Sequence, residues 1–378
     1  MRRKMLFAAL MIILIIGISG CWDYRDINST AFPQLGAYDL HEESNTALGN
    51  LPPEEQQIDL TVVIPTVSPE LESKFLISKT SGLLIASARG QKPYSLPGEY
   101  SAGVASNIVF SEALAATGLN KVSDALSRGA LNPHTENYSI AEGRAETILR
   151  VPIKDYPSMG DYLRMLIRSS NKRTFMPATT LHQFEVDQNP GKNPVMPLLT
   201  IKDEKVMFGG AAIFNKDKMI GKADLNETQY LVMLRGIESV GNLPFIISKE
   251  DQMSDMGSVN VNNKRKVKVE RNGDSFTFTI TISLAGNLAE HSSGVLFTED
   301  PKLHTEIEDQ IASNVTEGCN KFIEKMQEEY KVDCIDISKY ALAKWRKELQ
   351  PKIDEGFIEN VDIKVDVKVK LQNVGGES

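Results

Sequence analysis

Residues 264–284 read KRKVKVERNGDSFTFTITISL, two alternating segments on either side of Asn272 and Gly273. Asn-Gly in this setting is the strongest short signal for a β-hairpin, because both residues tolerate the positive φ of a type I′ turn. In the second arm every other residue is apolar, so one face should be buried while the other carries hydroxyl groups. The buried face would comprise Phe276, Phe278, Ile280, Ile282 and Leu284. The segment therefore predicts a half-buried antiparallel hairpin.

The residues around this hairpin extend the pattern. Strands are predicted at 206–214, 219–222 and 361–371, and helices at Asn226–Arg235, Thr305–Tyr330 and Ser338–Lys347. The strands follow from alternation of apolar and polar residues, and the long helix from an apolar stripe at helical spacing. Asn226 is the expected N-cap of its helix. The predicted fold class is α+β and multidomain, with antiparallel sheets covered by helices.

The first half of the chain carries weaker patterns of the same kind. Strands are predicted at 57–63, 83–88, 107–110 and 138–141, and helices at 111–117, 122–128, 145–150 and 158–169. Ser111 is a plausible N-cap. Residues 188–197 are rich in Asn, Pro and Gly and predict a linker or long loop. We therefore expect a domain at residues 21–200 and a second at 201–378.

Composition excludes several classes of protein. The chain has 378 residues, with 42 Lys and Arg against 50 Asp and Glu, a net charge of −8. An acidic balance disfavours nucleic acid as the main partner, because binding a polyanion requires a basic face. Three cysteines are too few for a disulfide scaffold.

The N-terminus predicts a secretion signal at residues 1–20. Arg2, Arg3 and Lys4 precede an apolar run at residues 6–18, and two small residues precede Cys21. A retained transmembrane anchor is the weaker alternative, because 13 residues at 1.5 Å each fall short of a hydrocarbon core of about 30 Å. A coincidental cysteine is the other alternative. The stretch Ile18-Ser19-Gly20-Cys21 resembles the bacterial lipobox, which implies cleavage before Cys21, S-diacylglycerol on its sulfur and an N-palmitoyl group.

Several short motifs resemble the Ger(x)C family, the lipoprotein C subunits of spore germinant receptors. One motif is Cys21-Trp22-Asp23, at the end of the lipobox. The others are a strand rich in Gly and Ala at 209–214, a turn leading into a strand at 218–221, and the start of a helix at 227–228. Trp345 and the final alternating strand also fit. The resemblance implies a subunit on the extracytoplasmic face of the spore inner membrane, working with integral membrane A-type and B-type subunits and anchored to lipid through acylated Cys21.

The sequence shows no constellation of catalytic residues. Its five histidines are His41, His134, His182, His291 and His304, and they lie far apart without a zinc-ligand spacing. We therefore predict no catalytic residue, no metal and no cofactor. A membrane-tethered hydrolase is accordingly the least supported function.

Other residues have a structural interpretation beside a functional one. We expect Cys319 and Cys334 to be thiols in the core rather than partners in a disulfide. We expect Gly209-Gly210 to form a β-bulge or to allow a close approach of a neighbouring backbone. Glu227 lies at the start of a predicted helix, where a negative charge stabilises the helix dipole, so it needs no functional role. The lysine-rich cluster at 264–268 is expected to be a solvated face, with contact to anionic lipid as the alternative.

Two functions remain. The first is a lipid-tethered, non-enzymatic subunit that acts through contacts with membrane partners. The second is a germinant-binding lipoprotein resembling the solute-binding component of a transporter.

Overall fold

The computed structural model describes residue 3 and residues 30–41, 57–66, 75–129, 132–153, 155–170, 172–247, 255–292 and 301–372. Apart from residue 3, the predicted signal at residues 1–20 lies outside the described residues, as do Cys21 and Trp22. Within the described ranges, no helix is long and apolar enough to span a bilayer.

A mixed sheet forms the centre of the first half. A two-residue strand β1 (Thr30–Ala31) pairs with β5 (Glu99–Tyr100) beside it. The described strands of the large sheet are β2 (Leu35–Leu40), β3 (Ile58–Pro65), β4 (Phe75–Gly82), β6 (Asn107–Ser111), β7 (Asn137–Ala141), β8 (Thr179–Thr180), β9 (Val195–Lys202), β10 (Lys205–Asn215) and β11 (Lys218–Ala223). Their order is β11-β10-β9-β7-β6-β2-β3-β4, with β8 beside β7. The four central strands, β9, β7, β6 and β2, are parallel, and the flanking pairs are antiparallel.

Helices cover both faces of this sheet. One face packs against α1 (Ile85–Gly90), α2 (Glu112–Thr117), α3 (Asn120–Ser127) and α6 (Leu181–Val186). The opposite face packs against α4 (Ala145–Arg150) and α5 (Met159–Ser170). Because helices cover both faces, the central strands β2, β6 and β7 are buried at nearly every residue rather than at every second one.

The second half contains a four-stranded sheet that packs against helices on one face. Its described strands are β12 (Val240–Ile247), β13 (Asp255–Asn272), β14 (Ser275–His291) and β15 (Asp362–Gln372), in that order. The covering helices are α7 (Leu225–Arg235), α8 (Pro301–Lys325, continued by a π turn at Met326–Tyr330) and α9 (Ser338–Leu349). Phe278, Ile280 and Ile282 point into this core. The predicted Asn272-Gly273 hairpin is confirmed, with Asn272 opposite Ser275.

The α+β, multidomain class is confirmed, and the structure corrects it in one respect. The sheets are not wholly antiparallel, because β15 pairs with β14 in parallel, as do the central strands of the first sheet. A parallel partner far along the chain leaves no local sequence signal. The expected division between residues 200 and 201 falls on the β9–β10 hairpin, and both strands belong to the first sheet.

Three local predictions were wrong. Residues 83–88 do not form a strand, because β4 ends at Gly82 and α1 begins at Ile85. The N-cap of α7 is Asp224 rather than Asn226, since the Asp224 side chain accepts the N–H of Glu227. The segment expected to be a loop at 188–197 includes the first residues of β9.

The Gly209-Gly210 pair confirms the expectation of a bulge. The register between β9 and β10 shifts between Phe208 and Gly210. Gly210 has a φ of +140°, and a Cβ there would collide with the carbonyl oxygen of Ala223. Glycine at residue 210 is thus required by the backbone rather than by a ligand.

Candidate functional site

The predicted lipidation site, Cys21, lies outside the described residues, so its acylation stays a prediction. The two other cysteines, Cys319 and Cys334, are free and buried in the core of the second half. Burial raises the pKa of both thiols. The preference for core thiols over a disulfide is therefore confirmed.

A charged cluster lies where β3 and β4 meet α4. Asp59 accepts hydrogen bonds from His41 Nδ1 at 2.7 Å and Ser81 Oγ at 2.6 Å. Lys79 Nζ lies 3.0 Å from this carboxylate, and an Arg144 guanidinium nitrogen lies 3.3 Å away. Burial alone would raise the pKa of Asp59, but the bonds from Ser81, Lys79 and His41 outweigh it and lower the pKa. Both oxygens of Asp59 are therefore engaged by protein donors.

A second group of polar side chains is buried with few partners. We call it the polar chamber: Arg89, Glu136, Tyr138, Tyr38 and Asn132, between the first sheet and the segments around α1 and α3. Glu136 is 1% exposed and Tyr138 is fully buried. Among the described residues, neither oxygen of Glu136, nor the hydroxyl of Tyr138, nor Nε of Arg89 has a hydrogen-bond partner. The side chain of Arg89 makes two long hydrogen bonds to other described residues, of 3.3 Å each, to Tyr38 and Asn132.

The charges in the polar chamber influence one another without direct contact. Burial raises the pKa of Glu136 to about 8, and the positive charge of Arg89 opposes that rise. Burial also raises the pKa of Tyr100, which interacts electrostatically with Arg89 and Glu136. Buried polar groups are normally hydrogen-bonded, so this cluster stands out among the described residues for its unsatisfied groups.

A third buried group joins distant parts of the chain. We call it the ionic junction: Arg235 at the end of α7, Asp187, Asn193, Cys334 and Asp336. One guanidinium nitrogen of Arg235 lies 2.7 Å from Asp187, and the other donates to the carbonyl oxygens of Cys334 and Asn193 at 2.7 and 3.0 Å. Asp336 lies 3.3 Å from the same side chain. Arg235 therefore connects the loop after α6 to the loop before α9.

The remaining candidates have structural surroundings. Glu227 completes the capping box of α7 and forms an ion pair of 2.8 Å with Lys325. Trp345 packs edge-to-face against Phe276, with ring centroids 5.4 Å apart. Among the described residues, no group of three or more His, Cys, Asp or Glu side chains is placed to hold a metal ion.

Each half of the chain matches a known family model. Residues 23–201 match the family model for the spore germination protein N-terminal domain, and residues 209–375 match the model described as spore germination B3/GerAC like, C-terminal. The chain belongs to the GerAC-like family of spore germination proteins.

One curated relative and one solved structure are similar to this GerAC-like chain. The chain is 22% identical over 263 residues to YfkR of Bacillus subtilis (strain 168), a protein named for spore germination. That alignment covers 67% of this chain and 66% of YfkR, so the chain spans slightly less than two thirds of the curated relative it matches. The crystal structure of the GerBC protein superposes with a TM-score of 0.57 at 16% identity, over 89% of this chain and 97% of GerBC. This likeness shows that the two share a fold.

Sequence reasoning missed both the polar chamber and the ionic junction of this GerAC-like chain. Glu136 follows a Pro-His-Thr stretch that resembles an exposed loop, and Arg235 resembles a common basic residue in the last turn of a helix. Their burial depends on distant segments, so no local pattern could have indicated it.

Proposed function

We propose that this chain is a lipid-anchored, non-enzymatic subunit of a spore germinant receptor, which supports germination through contacts with integral membrane subunits. The observation that carries the proposal is the match of both halves, residues 23–201 and 209–375, to spore germination families. The partners would be the A-type and B-type subunits, and the location the extracytoplasmic face of the spore inner membrane.

The anchor in this proposal is Cys21. Cleavage before Cys21 would leave diacylglycerol on the sulfur and palmitate on the new amino group. One acyl chain of this size binds a membrane marginally, whereas two or more hold a protein stably. Confinement to the same membrane also raises the effective concentration of the partners, so a modest interface between the subunits would suffice.

In this proposal the two halves of the folded chain act as one unit. The ionic junction supports this, because Arg235 binds groups from both sides of the expected division at residues 200 and 201. The first sheet continues to Ala223, which favours placing the structural limit of the first domain after β11 rather than at residue 200.

Germination of spores that lack the gene tests this function. Dipicolinate release would be scored across a germinant panel, with wild type, Cys21→Ala or Cys319→Ala restored separately. We expect loss of response to a subset of germinants, with rescue by wild type and Cys319→Ala and poor rescue by Cys21→Ala. Mass spectrometry of the mature N-terminal peptide would identify the acyl groups directly. Equal rescue by all three copies would exclude an essential anchor, and failure to co-purify with any membrane subunit would exclude the receptor role.

The polar chamber favours a second candidate, a lipoprotein that binds a small germinant. A ligand with a donor group and an acceptor group would satisfy Glu136 on one side and Arg89 on the other. Calorimetric titration of the full chain in detergent with each germinant tests this candidate, with Glu136→Gln as the comparison. Flat titrations for wild type would reject it, whereas binding that Glu136→Gln abolishes would support it.

A further inference from the structure

The outer face of the second sheet is open and rich in lysine. In β14 the residues that alternate with the core positions are Thr277, Thr279, Thr281 and Ser283, and none of them is buried. The strands on either side contribute exposed lysines to the same face. We call this surface the basic face; its lysines are Lys264, Lys266, Lys268, Lys364, Lys368 and Lys370.

Strand register brings these lysines together across the chain. Lys268 and Lys364 flank Thr279, because both are register partners of that residue in β13 and β15. Ser283 lies between Lys264 and Lys368 in the same way. Residues about 100 positions apart in sequence thus form adjacent rows on one surface.

The basic face carries an excess of positive charge. Three of its lysines pair with acidic residues of the same strands: Lys268 with Glu270 at 2.7 Å, Lys364 with Asp362 at 3.5 Å and Lys368 with Asp366 at 3.5 Å. Within the described part of the chain, Lys264, Lys266 and Lys370 have no such ion pair.

This surplus opposes the charge of the whole chain, which is −8. Between the lysines lie short hydroxyl side chains, so the surface can approach another surface closely without inserting apolar groups. Juxtamembrane lysines are attracted by anionic headgroups, and the attraction decays within a Debye length of about 10 Å at 0.1 M salt.

We propose that the basic face lies against anionic lipid headgroups of the membrane that holds the chain. The inference rests on the proposed anchor at Cys21, which would keep the body close enough for this short-range attraction to act. It assigns the body an orientation, with the second sheet towards the membrane and α8 on the side of that sheet away from the lipid.

Fluorescence quenching in nanodiscs tests the orientation on the full lipidated chain. A fluorophore on Thr279→Cys would report the centre of the basic face, and one on Glu324→Cys the exposed side of α8. Because Cys319 and Cys334 are buried, labelling should be confined to the introduced thiol. The quencher is a nitroxide on a phosphocholine headgroup, in discs of phosphatidylcholine alone or with phosphatidylglycerol.

We expect phosphatidylglycerol to increase quenching at residue 279 several-fold, and not at residue 324, and 0.5 M salt to reverse the increase. The variant Lys264→Glu/Lys266→Glu/Lys370→Glu should lower the docked fraction by roughly tenfold or more. A matched variant with Glu at Lys172, Lys205 and Lys352, which are exposed and outside the basic face, should leave it unchanged.

Each other outcome overturns the inference. Equal quenching at residue 279 with and without phosphatidylglycerol would reject docking on lipid, provided the chain floats with the membrane. If the chain does not float, the anchor itself is rejected. If the triple variant keeps its quenching but no longer co-purifies with membrane subunits, the basic face binds an acidic protein surface instead.

Discussion

Replacement of Arg235 by Met should destabilise the protein by about 3–5 kcal/mol, the usual cost of removing one partner from a buried ion pair. The side chain of Arg235 is 5% exposed and that of Asp187 is 4% exposed. The change would leave Asp187 and Asp336 without the guanidinium, and two buried carbonyl oxygens, of Asn193 and Cys334, without a donor. Folded proteins are stable by only about 5–15 kcal/mol, so such a loss is easily measured.

Urea unfolding followed by circular dichroism and by tryptophan fluorescence would measure this loss. The matched control is Arg128→Met, because Arg128 pairs with Asp124 on an exposed helix surface, with the two side chains 79% and 60% exposed. Losing this exposed ion pair should lower the free energy of unfolding by at most about 0.5 kcal/mol. Arg235→Lys should also destabilise, since one ammonium group cannot replace a planar guanidinium with donors on both sides. A cost for Arg235→Met within about 1 kcal/mol of the control would refute the role of the ionic junction.

Three further predictions follow from buried groups. Burial raises the folded pKa of Glu136 from 4.5 to about 8, so the folded state keeps a proton that the unfolded state loses. This group should therefore lower the free energy of unfolding by about 1.4 kcal/mol per pH unit between pH 5 and 7, below the range in which the lowered pKa of Lys92 acts in the opposite direction. Urea unfolding of Glu136→Gln should lack this contribution, and an equal slope in both proteins would contradict the burial of the carboxyl group. Gly210→Ala should cost about 3 kcal/mol or more and Gly209→Ala much less, as measured by thermal unfolding, and similar costs would contradict the bulge geometry. Cys319 and Cys334 should resist a thiol reagent until the chain unfolds, and rapid labelling of the native protein would contradict their burial.

Local structure was predictable where neighbouring residues determine it. The Asn272-Gly273 hairpin and the Ser111 cap, whose hydroxyl accepts the N–H of Leu114, depend on a few adjacent residues. The long amphipathic helix α8 also follows from a repeating local pattern. Each of these features depends on residues that are close together in the sequence, so it can be predicted from the sequence alone.

Pairing between distant strands was not predictable in the same way. The alternation in β15 indicates that one face is buried, but it contains no information on the partner strand or its direction. The same limit applies to the sites. Glu136 lies in a polar stretch yet is 1% exposed, and its neighbours Arg89 and Leu181 come from distant segments. The basic face likewise arises when register places Lys364 beside Thr279 and Lys268.

The distribution of satisfied and unsatisfied groups limits how the chain can act. Binding at the Asp59 cluster or at the ionic junction would break hydrogen bonds and ion pairs that the fold already makes, so a ligand there would have to compensate for their loss. In the polar chamber neither oxygen of Glu136 has a hydrogen-bond partner among the described residues. In the basic face, Lys266 makes none of the described ion pairs that Lys268, Lys364 and Lys368 make. At Glu136 and Lys266 a ligand or an anionic surface can therefore add an interaction without first breaking one. External contacts should for this reason concentrate on the polar chamber and the basic face.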